Sequence, residues 1–182
     1  MGVVVVTGIP GVGKTTVMKK AAEGMDIQFV TFGTVMIVIA KEMGIVKDRD
    51  EMRKLSLDQQ KKLQIKTAER IAGMKNVIVD THCTIKTPKG YLPGLPEWVV
   101  KKLNPTAIVV VEADSTEIYN RRANDATRSR DSDSKEKIDE HQQINRAVAM
   151  AYAALTGAPV KIVFNHDDDI DGAVKEAAPV LK

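Results

Sequence analysis

Gly8-Ile9-Pro10-Gly11-Val12-Gly13-Lys14-Thr15-Thr16 follows directly on the apolar run Val3–Val6. A glycine, four residues and then Gly-Lys-Thr, set between a strand and a helix, is the pattern of a phosphate-binding loop. A triphosphate needs many donors in a small space, and small residues let consecutive backbone N–H groups turn inward around its oxygens. Gly8, Gly11 and Gly13 permit that close approach, with Ile9, Pro10, Val12 and Thr16 completing the cradle. Lys14 is expected to reach the β- and γ-phosphates and Thr15 to place its hydroxyl on Mg²⁺. The helix opening near Gly13 would face the anion with its N-terminus. The motif leaves the acceptor open: water, a protein switch or a second small molecule.

Working outward, four more short β-branched runs join Val3–Thr7: Ile27–Thr31, Asn76–Asp80, Ala107–Glu112 and Val160–Asn165. Their near-continuous apolarity predicts parallel strands covered on both faces. Helical patterns fill the intervals at Lys14–Glu23, Thr34–Glu42, Asp58–Ala72, Pro96–Leu103, Thr116–Asn124, Lys135–Leu155 and Ile170–Ala178. Gly24, Gly44, Gly73 and Gly157 stand where helices should end. The alternation predicts a three-layer α/β fold, a central five-stranded parallel sheet with helices on both faces and ligands at the carboxyl ends of the strands.

The length of 182 residues suits one domain, and the 43% apolar content argues against wholesale disorder. With 27 basic against 24 acidic residues the formal charge is +3, too near balance to argue for nucleic acid or a membrane. The single cysteine, Cys83, excludes an intrachain disulfide and a multi-cysteine zinc site. A strand begins at once without a basic, apolar leader, and no apolar run reaches membrane-spanning length, so a cytoplasmic enzyme is expected.

Two segments depart from the strand–helix rhythm. Residues 31–57 carry two short helices before the long one and read as a small insert. Residues 124–139 are almost wholly polar and read as a cover, or lid, over the site. Asp80 ends its strand where a carboxylate meets the magnesium shell, accepting from metal-bound water or from the loop threonine. The connection Thr81–Pro96 is rich in donors, with His82, Lys86 and Lys89 available to a nucleotide phosphate or base. Cys83 has no activating base beside it and reads as packing.

Arginines gather around the cover at Arg121, Arg122, Arg128, Arg130 and Arg146. Phosphoryl transfer spreads negative charge over the equatorial oxygens of the moving group, which arginine forks would stabilise. Arg122, Arg128 and Arg130 are the leading candidates. Arg49 and Arg53, in the insert, either hold an acceptor phosphate or pair with Asp48, Asp50 or Glu51 on the same short helix. An acceptor phosphate oxygen is already a nucleophile near neutral pH, so no acid or base is required.

As a set these residues resemble the archaeal adenylate kinase family. The resemblance is carried by the phosphate loop, Phe32-Gly33-Thr34-Val35-Met36, Asp48 to Leu55, and above all Val79-Asp80-Thr81-His82 with Thr84 to Pro96. Glu140-His141-Gln142, Asn145-Arg146-Ala147 and Leu155-Thr156-Gly157-Ala158 extend it. It implies a single kinase domain over 1–182 that transfers the ATP γ-phosphoryl group to AMP with Mg²⁺. It also implies an AMP-binding insert at 31–57, a lid at 124–139 and assembly as a homotrimer. On matching positions, Gly8 to Thr16 would bind ATP, Arg122 would lead into the lid near adenine and phosphates, and Asn165 would open the loop that holds the adenine.

Two departures from the wider superfamily touch the acceptor half. Ile37 stands where the first helix of the insert usually carries an arginine, three residues past Thr34, and Asp80-Thr81-His82-Cys83-Thr84 replaces the usual Asp-Gly-x-Pro-Arg. Thr34, Arg53, His82 and Lys86 are then the groups expected to hold AMP. Competing readings are a kinase for another nucleoside monophosphate or small acceptor, and a GTP-driven switch suggested by Asn165-His166-Asp167-Asp168, which lacks the guanine-reading lysine. No nucleic-acid recognition module is visible.

Overall fold

The structure, a computed structural model, describes residues 1–124 and 133–182, and for Arg53 the backbone alone. Its centre is β1 (Val3–Thr7), every residue of which is buried. Side chains alternate across a strand. Val4 and Val6 therefore join one core with Val17, Met18, Ile78, Val109, Val111 and Val163. Val3 and Val5 join the other with Val77, Val79, Ile108 and Val110.

Around β1 lie β2 (Gln28–Thr31) and β3 (Val77–Asp80) on one side, β6 (Ala107–Glu112) and β7 (Val160–Phe164) on the other, in the order β2-β3-β1-β6-β7. All pairings are parallel. The chain fills one side of β1 before crossing to the other, so the loops at its carboxyl end diverge and open a crevice. The edge strands β2 and β7 are only partly covered, whereas β3 and β6 are fully buried.

Helices α1 (Lys14–Ala21) and α7 (Ile170–Ala177) cover the first face. The second face is covered by α3 (Leu57–Ala72), α4 (Glu97–Leu103) and α6 (Lys135–Thr156). α2 (Phe32–Glu42) and a 3-10 helix, Asp50–Lys54, pack on α3 through a core of their own around Ile39, Ala40, Val46 and Leu63. The last helix before the undescribed segment is α5 (Ser115–Ala123).

One element departs from expectation. Thr81–Pro96 contains a two-stranded antiparallel hairpin, β4 (Thr84–Thr87) with β5 (Gly90–Pro93). Of the expected lid, residues 125–132 lie outside the described residues, and the part from Lys135 onward is the first turn of α6. No helix among the described residues is long and apolar enough to cross a membrane.

Candidate active site

Backbone geometry at the phosphate loop explains its composition. Gly8 has φ +153°, and a Cβ there would stand 2.4 Å from the Val111 carbonyl oxygen on β6. Gly13 has φ +80° and a Cβ would meet Asn165 Nδ2 at 2.4 Å. Gly13 is also the N-cap of α1 and offers no side-chain acceptor, which leaves the N–H groups of the first turn for an anion.

Two side chains of that turn meet one carboxylate. Asp80 pairs with Val6 in the β1–β3 register, so its side chain arrives beside the start of the loop. Thr15 Oγ1 donates to Asp80 Oδ2 at 2.7 Å, and Lys14 Nζ lies 3.5 Å from Asp80 Oδ1. A hydroxyl and a carboxylate oxygen side by side are hard donors of the type Mg²⁺ takes when the remaining ligands are water and substrate phosphates. No group of three or more His, Cys, Asp or Glu among the described residues forms an all-protein metal cage, and this donor set needs none.

On the side of β7 the loop is clamped. Asn165 is buried and donates from Nδ2 to the Val12 carbonyl at 2.7 Å. Arg121 donates from Nη2 to the Asn165 carbonyl at 2.8 Å, from Nη1 to the Val12 carbonyl at 3.5 Å, and from Nε to Asp167 at 2.8 Å. Asn165, expected to open the loop that holds the adenine, thus grips the phosphate loop with its side chain.

On the opposite side lies a cavity of about 230 Å³ lined by Pro10, His82, Thr84, Ile85, Lys86, Arg122, Asp133 and His141. Arg122 Nε donates to the Pro10 carbonyl at 2.8 Å, bringing α5 over the loop tip. Asp133 bridges the two cations, accepting from Lys86 Nζ at 2.6 Å and from Arg122 Nη1 at 3.3 Å. Desolvation opposes ionisation of Asp133, but the Lys86 hydrogen bond and the charges of Lys86 and Arg122 outweigh it and hold the carboxyl below its ordinary range. The same hydrogen bond raises the ammonium of Lys86. Desolvation first, then Lys14, lowers His82, with Asp80 partly opposing. His141 is lowered by burial, then by Arg122 and Lys86. The cavity therefore joins two cations to two neutral imidazoles beside the loop tip, a lining suited to a phosphate.

The expected residues divide accordingly. Lys14, Thr15 and Asp80 come together, Asn165 abuts the loop, and Arg122, His82 and Lys86 share the cavity. Thr34 is exposed in the first turn of α2, on the same sheet edge as Asp80 because Thr31 pairs with Asp80. The Arg53 side chain, Arg128 and Arg130 lie outside the described residues. The alternative in which Arg49 pairs within its short helix does not occur: Asp48 caps the Asp50 and Glu51 N–H groups, Glu51 accepts from the Lys47 N–H, and the Arg49 guanidinium lies beside Gly33. Lys89 sits in the exposed hairpin turn, and Arg146 forms a bidentate pair with buried Glu112 away from the cavity. Asp133 and His141 were not among the expected site residues, and Arg121 was named in the arginine cluster but not among its leading candidates. The Arg121-Arg122 pair carried a signal, because neighbours on a helix point about 100° apart and can serve two sides of one loop.

Known proteins resemble this chain over most of its length. The AAA domain family matches residues 7–139. The adenylate kinase of Methanocaldococcus jannaschii is 54% identical, over 99% of this chain and 98% of that protein. That of Methanothermobacter thermautotrophicus is 53% identical over the full length of both, and that of Thermoplasma acidophilum 51% over 97% of each. Among solved structures, shikimate kinase from Bacteroides thetaiotaomicron superimposes with a TM-score of 0.62 at 13% identity over 99% of this chain and 98% of its own. A gluconokinase from Sinorhizobium meliloti gives 0.55 at 18%, over 99% and 91%. At such identities these two speak for the fold alone.

Proposed function

We propose a division of labour that proceeds from one premise: the chain belongs to the archaeal adenylate kinase family and is an enzyme, an ATP:AMP phosphotransferase. The observation that carries the division is the position of the loop tip, with the Lys14–Asp80–Thr15 cluster beside the loop and the Lys86–Asp133–Arg122 cluster at Pro10. ATP lies along Gly8 to Thr16, its β- and γ-oxygens facing Lys14 and the first turn of α1. Thr15 and Asp80 would hold Mg²⁺, which would supply neutralisation of phosphate charge. Adenine of ATP rests against the loop opened by Asn165, with Arg121 beside it.

AMP enters from the insert. Thr34 and Arg53 border it, and His82 and Lys86 face its phosphate. Arg122 stabilises the charge on the moving phosphoryl group, the role expected also of Arg128 and Arg130, which lie outside the described residues. The AMP phosphate oxygen attacks without a general base, so catalysis is positioning and charge stabilisation.

Lys14→Ala is expected to lower turnover about 10²–10³-fold while circular dichroism stays unchanged. Near-wild-type ADP formation from ATP and AMP would remove Lys14 from the reaction. A screen of nucleoside monophosphates with ATP tests the acceptor: AMP should exceed the others, and ATP consumption without any acceptor should be slow.

Two wider features belong with this reading. Leu57, Ile85, Leu92, Trp98 and Leu155 are exposed around an apolar groove of about 750 Å³, a surface suited to burial between copies. It supports the homotrimer implied by the family, and Leu92→Glu should shift sedimentation toward the monomer. A cytoplasmic location fits a chain whose one cysteine is a buried free thiol.

A further inference from the structure

Beneath the Lys86–Arg122 end of the cavity runs a buried polar chain that the division above leaves unused. Thr84 opens β4, while His141 and Asn145 stand four residues apart on α6, and all three are buried. The Thr84 hydroxyl donates its one proton to Asn145 Oδ1 at 2.5 Å. His141 Nε2 lies 2.9 Å from Thr84 Oγ1. With its proton committed, that oxygen can only accept, so Nε2 carries the hydrogen. In the neutral ring Nδ1 therefore holds the lone pair. Nδ1 has no hydrogen-bond partner among the described residues, and the ring borders the cavity. Tyr91 packs against the ring with centroids 5.0 Å apart and an interplanar angle of 52°.

We propose that His141 is a further ligand of the acceptor phosphate, taking up one proton from solvent as the phosphate arrives and donating it as a hydrogen bond from Nδ1. Desolvation and the charges of Arg122 and Lys86 keep the ring neutral beforehand, with Asp133 opposing them and His82 adding to them. The other ionisable groups around it are Tyr91 on β5 and Glu140 on α6, which bond to each other. A phosphate dianion inserted here offsets the cations that suppress protonation and supplies an acceptor. The Thr84–Asn145 relay determines which nitrogen gains the proton: Nε2 is already protonated, so Nδ1 receives it. Nothing is oxidised and no covalent bond to phosphorus forms.

This inference rests on reading the cavity as the acceptor-phosphate site, and its test separates the two. The chain has only three histidines, so ¹⁵N-imidazole spectra of the wild-type enzyme are simple. At pH 7.5 the His141 ring should show one protonated nitrogen without AMP and two at saturating AMP. His141→Gln assigns the signal, and its amide can still donate to Thr84. That variant should raise KM for AMP roughly tenfold at pH 6.5 with kcat changed much less, because a charge-assisted hydrogen bond is lost. The ratio to wild type should shrink toward pH 8.5, where the proton is no longer held. Titration of AMP itself cancels in that ratio. A ring that stays neutral at saturating AMP, or a KM ratio flat with pH, overturns the proposal. If Lys86→Ala leaves KM for AMP unchanged while the wild-type enzyme phosphorylates AMP, the reading of the cavity as the acceptor-phosphate site goes instead.

Discussion

Gly13 is held by two constraints at once, a φ of +80° and a neighbour, Asn165 Nδ2, that a Cβ would meet at 2.4 Å. Gly13→Ala should therefore lose stability through left-handed strain, about 1–2 kcal/mol, and through displacement of Asn165. The two contributions separate in a double-mutant cycle. Adding Asn165→Ala should recover part of the thermal stability but not ATP affinity, because the clamp on Val12 is then gone. Additive losses would mean that the contact is not felt. Cys83 makes a prediction of a different kind. Burial pushes its thiol up to about 12 from an ordinary 9.0, with only slight opposition from Thr7. A raised acid keeps its proton in the folded state, so its contribution is complete below pH 9.0 and is lost as pH climbs toward 12. The melting-temperature difference between wild type and Cys83→Ala should shift against wild type between pH 8 and pH 10.5, and iodoacetamide should label the thiol only after denaturation.

Among the elements, α5 carries the two arginines that flank the phosphate loop. Its start is fixed by a capping box, in which Asp114 accepts from the Thr116 N–H at 2.7 Å while Glu117 accepts from the Asp114 N–H at 3.0 Å. Asp114→Ala should fray that first turn, lower the melting temperature and raise KM for ATP several-fold, an effect read by steady-state kinetics. The backbone hydrogen bond from Thr116 depresses the Asp114 carboxyl. Its support is thus present at neutral pH and fades as pH falls below the usual aspartate range. The main elements were legible because β-branched runs and helical periodicity agree with burial at β1, β3 and β6. The hairpin was not. Thr84-Ile85-Lys86-Thr87 is too short to show alternation, and its partner begins at a glycine with φ +115°. The turn chemistry was available, since Pro88 suits the first turn position and Gly90 the last. Contacts between distant parts of the chain, such as Asp133 on Lys86 or His141 on Thr84, leave no local pattern, which is why the acceptor half was the harder one to assign.

Across the whole molecule α6 acts as a strut between the end of β6 and the β4–β5 hairpin. Gln142 bonds both the N–H and the carbonyl of Ala113 after β6, and Arg146 holds Glu112. His141 and Asn145 hold β4. Tyr152 closes the base of the hairpin, its hydroxyl donating to the Cys83 carbonyl at 2.9 Å and accepting from the Leu95 N–H at 3.0 Å. Tyr152→Phe should cost about 1–3 kcal/mol in chemical denaturation. It should also raise KM for AMP more than KM for ATP, because only the lysine on the hairpin is loosened. Equal effects on both would mean that α6 carries no directional link to the acceptor side. The Asp133 bridge has a consequence of another sort. A singly charged anion reaching Lys86 and Arg122 merely trades places with a carboxylate already seated there and gains little. A dianion brings surplus charge and wins the exchange. On the proposed reading of this cavity as the acceptor-phosphate site, the bridge is a valence filter that favours phosphate over salt monoanions. Asp133→Asn should remove the filter, turning chloride into an inhibitor competitive with AMP.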